Sequence, residues 1–293
     1  SVTSLEGFRV SRLLRSNRRV IGVEGVTQTG ESKRFTAKLV VGADGRRSTI
    51  RSLLGLLPKR KISTDYSFFY SYLIGLEQSD PPKFEIHQIK GSTLAIFPTS
   101  DQRYVTFIAC PNTSTNWLRA FRQNPRQAYV QYLKMQFPII DFEKRLKNAR
   151  IVDKVKGLFS FDNYWFPMMG KGWALVGDAA IFKDPGVAQG MHDAIFAART
   201  LAAVLKEHDW EKEENKMILA YEERVQEKIL GLFELALNMT KYKPGTPEQR
   251  KVQQIISQYP NVKEKFFGIY NYANGLEELN EEIVGILGLS NVN

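Results

Sequence analysis

The chain opens with three short runs in which apolar and polar positions alternate, residues 8–14, 19–26 and 34–41. A period of two is that of a half-buried β-strand, and Ser16-Asn17 and Thr29-Gly30 supply turn residues between the runs. Four further runs, aromatic and β-branched, occupy residues 66–74, 83–89, 92–97 and 103–110. The intervening Ser79-Asp80-Pro81-Pro82, Lys90-Gly91 and Ser100-Asp101 predict an antiparallel meander. The period then lengthens: residues 117–137 carry Trp117, Phe121, Tyr129 and Leu133 at helical spacing, and a short polar helix is expected over 141–148. Residues 159–166 return as an extended segment, and residues 173–177 form another short apolar run before helical spacing resumes over 193–205. A long charged helix is predicted over 210–237, with Ile218, Tyr221, Val225, Ile229 and Phe233 on its apolar face. Lys243-Pro244-Gly245 should stop it, and two more helices fit residues 247–259 and 262–285.

Composition narrows the class. A chain of 293 residues is long enough for a sizeable core and for two domains at roughly 150 residues each. An apolar content of 43% and a mean hydropathy of −0.30 are those of a globular protein. No apolar run approaches the ~20 residues of a membrane span, so no integral membrane segment is expected. The opening Ser1-Val2-Thr3-Ser4-Leu5-Glu6 lacks the charged and apolar regions of a signal peptide. The single cysteine, Cys110, excludes an internal disulfide and points to a reducing, cytoplasmic setting; at the end of a strand-like run it reads as an inert, half-buried thiol. The net charge of +10 suits phosphate-bearing cofactors, and also nucleic acid or an anionic membrane surface. It is dispersed, however, and its densest cluster, Pro58-Lys59-Arg60-Lys61, reads as a solvated loop, so no nucleic-acid partner is expected.

Two stretches carry chemistry. Residues 173–194 pass from an apolar strand through Gly177-Asp178 and a Pro185–Gly190 loop into a helix. A carboxylate at the end of a strand can accept hydrogen bonds from sugar-like hydroxyls, and the free N–H groups of a following helix start, here near Gln189, Gly190 and Met191, can stabilise negative charge. The same grammar also fits an ordinary buried turn with Asp178 as a cap. Residues 37–51 repeat the pattern: an apolar strand runs into Asp44-Gly45, then Ser48 and Arg51 at a helix start.

Together, in this order and at this separation, the two stretches resemble the Asp-Gly and Gly-Asp motifs of the FAD-dependent monooxygenases of the para-hydroxybenzoate hydroxylase type. The resemblance implies that Asp178, beside Gly177, binds the ribityl chain of FAD. Asp44, with Gly45 and Arg51, would lie near the pyrophosphate and bear on NADH or NADPH use. Pro185, Gln189 and Gly190 would border the isoalloxazine ring, with the backbone N–H groups of Gly190 and Met191 facing its N1/C2 oxygen edge. Fixed donors there would favour the reduced anionic flavin. Many members have His after Gly-Asp-Ala-Ala and Gly-x-Gly later in the loop; Ile181 and Ala188-Gln189-Gly190 stand here, with Lys183-Asp184-Pro185 resembling a subgroup of FAD-dependent oxidoreductases.

The family normally begins with a Gly-x-Gly-x-x-Gly turn in a ~30-residue βαβ unit. Residues 8–41 resemble instead the hairpin that precedes its Asp-Gly motif, so the expectation is an N-terminally truncated piece of a longer protein, and whether this chain holds FAD by itself stays open. The implied fold is α/β, or mixed α+β: an incomplete Rossmann-like FAD-binding domain (residues 1–65 and 157–205), an inserted antiparallel β-sheet substrate domain (66–156) and a C-terminal helical region (206–293). Tyr70, Tyr72 and Phe97 are candidates to line an apolar substrate pocket.

His87, His192 and His208 are scattered and there is no cysteine cluster, so no metal is expected. His87 reads as exposed or structural, and His192 as a surface or packing residue in the first turn of its helix. Neither a Gly-x-Ser-x-Gly elbow nor a phosphate-binding Gly-x-x-x-x-Gly-Lys-[Ser/Thr] loop is present. No catalytic side-chain set emerges, as expected where a cofactor performs the chemistry. The implied activity is NAD(P)H-dependent insertion of one oxygen from O2 into an apolar or aromatic small molecule. The alternatives are a non-oxygenating reductase or a halogenase on the same fold, the latter disfavoured by the missing Trp-x-Trp-x-Ile-Pro, and a non-catalytic binding module. The substrate, the choice of nicotinamide and the oligomeric state are not encoded in any motif.

Overall fold

The alternation near the N-terminus folds as an antiparallel hairpin of β1 (Arg9–Ser16) and β2 (Arg19–Val26), with Ser16 opposite Arg19. Asn17 and Arg18 both take positive φ, 46° and 67°, the two-residue turn whose twist matches the strands it joins. The computed structural model describes residues 2–89, 91–138, 142–210, 212–241, 246–270 and 272–288. The single strand expected over 34–41 is two: β3 (Ser32–Thr36) pairs with β2, and β4 (Val40–Gly42) belongs to another sheet. The break follows burial, because β3 is largely exposed while Val40 and Gly42 are enclosed.

By compactness the chain divides into two units. One comprises residues 1–62, 162–238 and 246–293, the other residues 63–161 and 239–245. In the first, β4 runs parallel to β14 (Trp173–Leu175), which also pairs with β13 (Met169–Gly170). A small third sheet orders β15 (Ile181–Phe182), β12 (Asp162–Trp165) and β5 (Arg60–Ser63). Helices α1 (Thr49–Leu54), α5 (Gly190–Glu207) and α6 (Glu214–Met239) complete the main core of this unit. Of the stripe expected on α6, Tyr221, Val225, Ile229 and Phe233 are fully buried, and the Tyr221 hydroxyl donates to the Leu175 carbonyl at 2.9 Å. Ile218 is only partly covered, Met217 taking the buried position.

The C-terminal region holds three helices where two were expected: α7 (Pro247–Gln258), α8 (Pro260–Tyr270) and α9 (Leu276–Leu287). A continuous helix over 262–285 is prevented at Asn274-Gly275, where the Asn274 amide and the Gly275 N–H both engage the Glu278 carboxylate and restart the helix. Ile255, Val262, Ile269, Leu279 and Ile283 form a small core of their own. The stop expected at residues 243–245 lies outside the described residues.

In the second unit the strand order is β10-β6-β9-β8-β7, comprising β6 (Tyr66–Ile74), β7 (Glu85–Ile89), β8 (Ser92–Pro98), β9 (Arg103–Pro111) and β10 (Arg150–Ile151). β11 (Lys156–Leu158) also pairs with β6. The meander therefore runs through β7, β8 and β9 only, and β6 pairs with β9 at the far side. Of the Lys90-Gly91 turn, Lys90 lies outside the described residues; at the other turn Asp101 and Gln102 have φ of 57° and 53°.

The helix expected over 117–137 is broken into α2 (Thr115–Gln123) and α3 (Pro125–Gln136). Pro125 has no N–H to continue the ladder, and Asn124 caps the new start by accepting from the Gln127 N–H at 3.2 Å. A four-residue α4 (Phe142–Arg145) stands where residues 141–148 were expected to be helical; Asp141 lies outside the described residues. α2 and α3 cover one face of the sheet, with Phe69 stacked on Phe121 at 3.7 Å and the Tyr132 hydroxyl 2.6 Å from that of Ser92. Cys110 lies in this core with 0% exposure rather than half-buried, and burial pushes its thiol pKa up.

On β7, Glu85 takes both forks of the Arg145 guanidinium, at 2.7 and 3.0 Å, and lies 2.7 Å from His87 Nε2. Burial alone would raise its carboxyl pKa, but these partners outweigh that and hold it down at about 2. The folded value lies below the unfolded one, so the pair contributes stability above pH ~4.5 that is lost as pH falls toward 2. Glu85→Gln is expected to destabilise the protein by about 1–2 kcal/mol at neutral pH, a figure discounted for partial exposure. Urea titrations from pH 7 downward should show the two proteins converging near pH 2; a difference that persists there would refute the assignment.

Candidate functional site

β4 and β14 lie side by side and parallel, with Val40, Val41 and Gly42 opposite Trp173, Ala174 and Leu175. Both chemistry-bearing loops leave from their C-terminal ends, which is where open parallel sheets present ligand sites. Gly42 allows the close packing, since a Cβ there would fall 2.6 Å from a Leu175 methyl.

After β4, Asp44 Oδ2 accepts from the Thr49 and Ile50 N–H groups at 2.7 and 3.1 Å, and Ser48 Oγ accepts from the Arg51 N–H at 2.9 Å. α1 is thus capped twice. Gly45 turns the chain between them at φ 74°. No heavy atom lies within 4 Å of where its Cβ would be, so the backbone here is bare on that side.

After β14, the chain takes a 3-10 turn at Gly177–Ala179. Gly177 has φ 56°, and a Cβ would lie 2.9 Å from that of Ala194 on α5, so the turn and the helix touch where only glycine fits. Asp178 is half-buried, and among the described residues no side chain or N–H pairs with its carboxylate. Burial raises its pKa above the usual carboxylate range, the Asp193 charge adds to this, and Arg46 offsets part.

The loop continues through β15 and a second 3-10 turn, Pro185–Val187, where Asp184 Oδ1 accepts from the Gly186 N–H at 2.8 Å. α5 then begins at Gly190 with no side-chain cap. The first intrahelical donor is Asp193, bonded to the Gln189 carbonyl at 3.0 Å, which leaves the N–H groups of Gly190, Met191 and His192 for an external acceptor. The nearest atom to a Cβ on Gly190 would be Asp178 Oδ1, at 4.0 Å. An unpartnered carboxylate and an uncapped helix start therefore adjoin: one accepts from hydroxyls, the other donates to oxygen atoms that carry negative charge.

Arg51 binds the two loops together. Its guanidinium donates to the Ala179 carbonyl at 2.7 Å and the Asp178 carbonyl at 3.3 Å from one side, and to the Arg46 carbonyl at 2.7 Å from the other. It lies 4.6 Å from the rings of both Tyr164 and Phe166. The Tyr164 hydroxyl lies 2.7 Å from the Asp178 carbonyl and 2.9 Å from that of Arg46, reinforcing the same seam.

Asp44, Gly45, Arg51, Gly177, Asp178, Pro185, Gln189, Gly190 and Met191 all fall in this region of the first unit, but they do not play equal parts. Arg51 spends its donors on backbone carbonyls and Asp44 one oxygen on α1. The Gln189 side chain, at 2% exposure, is held between Lys183 and the Ile269 carbonyl, which leaves only its backbone for a ligand. Met191, by contrast, is 82% exposed. In the second unit Tyr70, Tyr72 and Phe97 share the sheet face away from α2 and α3. Tyr72 and Phe97 both oppose Val105, and Tyr70 opposes Phe107.

Arg46, Tyr164, Phe166 and Asp193 were not singled out from the sequence, and Lys183 was named only within Lys183-Asp184-Pro185. A signal existed for Asp193, which occupies the same helical stripe as Ala197, Thr200, Leu201 and Val204 and is buried with them; a carboxylate there calls for a buried cation. His192 is packed, its ring 4.0 Å from that of Tyr272, and His87 is taken up by Glu85. Among the described residues no group of His, Cys, Asp or Glu is placed to hold a metal, and no helix is long and apolar enough to cross a membrane.

The model of the FAD binding domain family matches residues 6–229. No curated protein matches the chain. Among solved structures, the flavin-dependent brominase Bmp2 aligns with a TM-score of 0.67 at 19% identity, covering 90% of this chain and 64% of its own. The myxobacterial chondrochloren halogenase CndH aligns at 0.66 and 18% identity, covering 92% and 62%. HpxO of Klebsiella pneumoniae, solved with FAD and uric acid, aligns at 0.61 and 18% identity, covering 96% and 66%. At these identities the likeness is one of fold, and the chain spans less than two thirds of the length of each.

The Arg51 seam has a direct test. Arg51→Met keeps the stem between the rings but takes the guanidinium from the Arg46, Asp178 and Ala179 carbonyls, of which only the first two keep the Tyr164 hydroxyl in reach. It should destabilise the protein by about 2–4 kcal/mol in urea denaturation. Arg51→Lys cannot reach both sides and should recover little; full recovery with lysine would show that charge alone matters.

Proposed function

Because this chain belongs to the FAD binding domain family, we propose that the paired loops form part of an FAD site and that the protein acts as an FAD-dependent oxidoreductase, with NAD(P)H-dependent monooxygenation of an apolar or aromatic small molecule as its reaction. The observation that carries the reading is the half-buried Asp178 carboxylate, which among the described residues has no hydrogen-bond partner, beside the open N-terminus of α5. An ionisable group is rarely left so placed unless a ligand completes it.

The residues present fit the cofactor. Asp178 would accept from the hydroxyls of the ribityl chain, and the Gly190 and Met191 N–H groups would donate to the oxygen-bearing edge of the ring. The bare backbone at Gly45 leaves room for a close approach by the pyrophosphate, with Asp44 fixing the turn and Arg51 holding the two loops in register. When bound, FAD supplies hydride acceptance and oxygen activation; the chain supplies fixed dipoles, an anchoring carboxylate and an apolar setting. The half-buried Tyr70, Tyr72 and Phe97 offer apolar contact suited to an aromatic substrate. Halogenation is the second reading: two of the three aligned structures named above are halogenases, although the Trp-x-Trp-x-Ile-Pro segment is missing from this sequence.

Titration of the purified protein with FAD, followed by visible absorption and flavin fluorescence, should show saturable binding. Asp178→Ala should weaken it by 10–100-fold, equivalent to about 1.4–2.8 kcal/mol. Consumption of NADH or NADPH with stoichiometric oxygenated product would then establish the monooxygenase, and halide-dependent product the halogenase. A spectrum that does not change at any FAD concentration would sink the reading.

A further inference from the structure

Behind the loop of residues 183–190 lies a polar cluster that cofactor contact alone does not require. The Lys183 ammonium, its side chain 4% exposed, lies 2.8 Å from Asp193 Oδ2 and donates to Gln189 Oε1 at 2.7 Å. Asp193 Oδ1 accepts from the Tyr272 hydroxyl at 2.5 Å, and that hydroxyl also lies 3.4 Å from Lys183. The Gln189 amide donates to the Ile269 carbonyl at 3.1 Å, in the last turn of α8, three residues before Tyr272.

Three features single out Tyr272. Its ring is stacked on His192 at 4.0 Å and lies 4.9 Å from the Lys228 ammonium on α6, so loop, α5 and α6 meet on it. Its backbone has φ 60°, a conformation that bulky L-residues avoid and that persists only where the surroundings over-determine it. Its hydroxyl reaches the one carboxylate that is both the partner of Lys183 and the charged neighbour of Asp178.

We propose that Tyr272 is the positioning residue of the candidate cofactor site: from the turn between α8 and α9 it holds residues 183–193, and with them the open start of α5, in the shape that receives the flavin ring. Lys183 and Asp193 are the intermediaries, and Gln189 is a second tie, to the last turn of α8 just before Tyr272. The mechanical part of this proposal stands on the contacts above; its effect on FAD rests on the reading in the preceding section.

The test is hydrogen exchange of the full chain, followed by mass spectrometry, on the wild type and Tyr272→Phe. The phenylalanine keeps the stack on His192 and removes only the hydroxyl. The hydrogen-bonded amides within residues 186–193, those of Gly186, Val187, Ala188 and Asp193, should exchange on the order of 10-fold faster, while the β-sheet of residues 66–111 is unchanged. In the same variant FAD affinity should fall about 10-fold with the far-ultraviolet circular dichroism preserved. Unchanged exchange over residues 186–193 overturns the proposal. Should Tyr272→Phe fail to fold, Gln189→Met, which cuts the second tie, must loosen the same segment, and a null result there overturns it equally. If the wild type takes up no FAD, the functional reading falls, and the exchange result alone decides the role of Tyr272.

Discussion

The seam on which the first unit depends is one guanidinium shared among three carbonyl oxygens. The strands β4 and β14 are each only three residues long, so their ladder contributes few bonds, and the loops that follow them have no regular structure to tie them together. A planar, permanently charged fork with several donors meets this need where a lysine or a neutral amide would not. Stacking against Tyr164 and Phe166 fixes the plane of the fork, and the backbone of each loop is presented to it by a tight turn. The clamp takes the Asp178 carbonyl, and among the described residues its carboxylate is left without a hydrogen-bond partner.

Much of the fold was legible because burial follows simple periods here. β2 and β6 match the expected runs residue for residue, and the α6 stripe is displaced only at Ile218. The departures have local causes that pattern alone weighs too lightly. Pro125 sits inside an otherwise continuous helical period, and the hydrophobic signal of residues 34–41 belongs to two sheets that a single alternation cannot distinguish. The site was legible as two stretches but not as one object. Asp44 and Asp178 announce themselves beside glycines, whereas Arg51 reads the same whether it faces a phosphate or a carbonyl, and Tyr272 lies 79 residues beyond the carboxylate it engages. Long-range polar ties of this kind leave no periodic trace.

The two units solve the problem of buried polarity differently. In the second, hydroxyls on the sheet are matched to tyrosines on α3, as in Ser92 with Tyr132 and Thr106 with Tyr129, so neutral groups satisfy one another in the core. In the first, charge itself is buried, in the Lys183–Asp193 pair. Such a pair brings little net stability over an apolar core and is better understood as fixing one arrangement against others. That economy suits a scaffold in the second unit and a loop held in one shape in the first.

Cys110 gives this division an experimental handle. It is the sole thiol of the chain, and it is wholly enclosed in the second unit, with burial holding it in the unreactive protonated form. A thiol reagent can therefore label the native protein only when that unit opens, and the labelling rate becomes a clock for its opening alone. Motions of the Asp-Gly and Gly-Asp loops would pass unrecorded by it, which allows the stability of the sheet and the suppleness of the site to be followed independently in one molecule without introducing a probe.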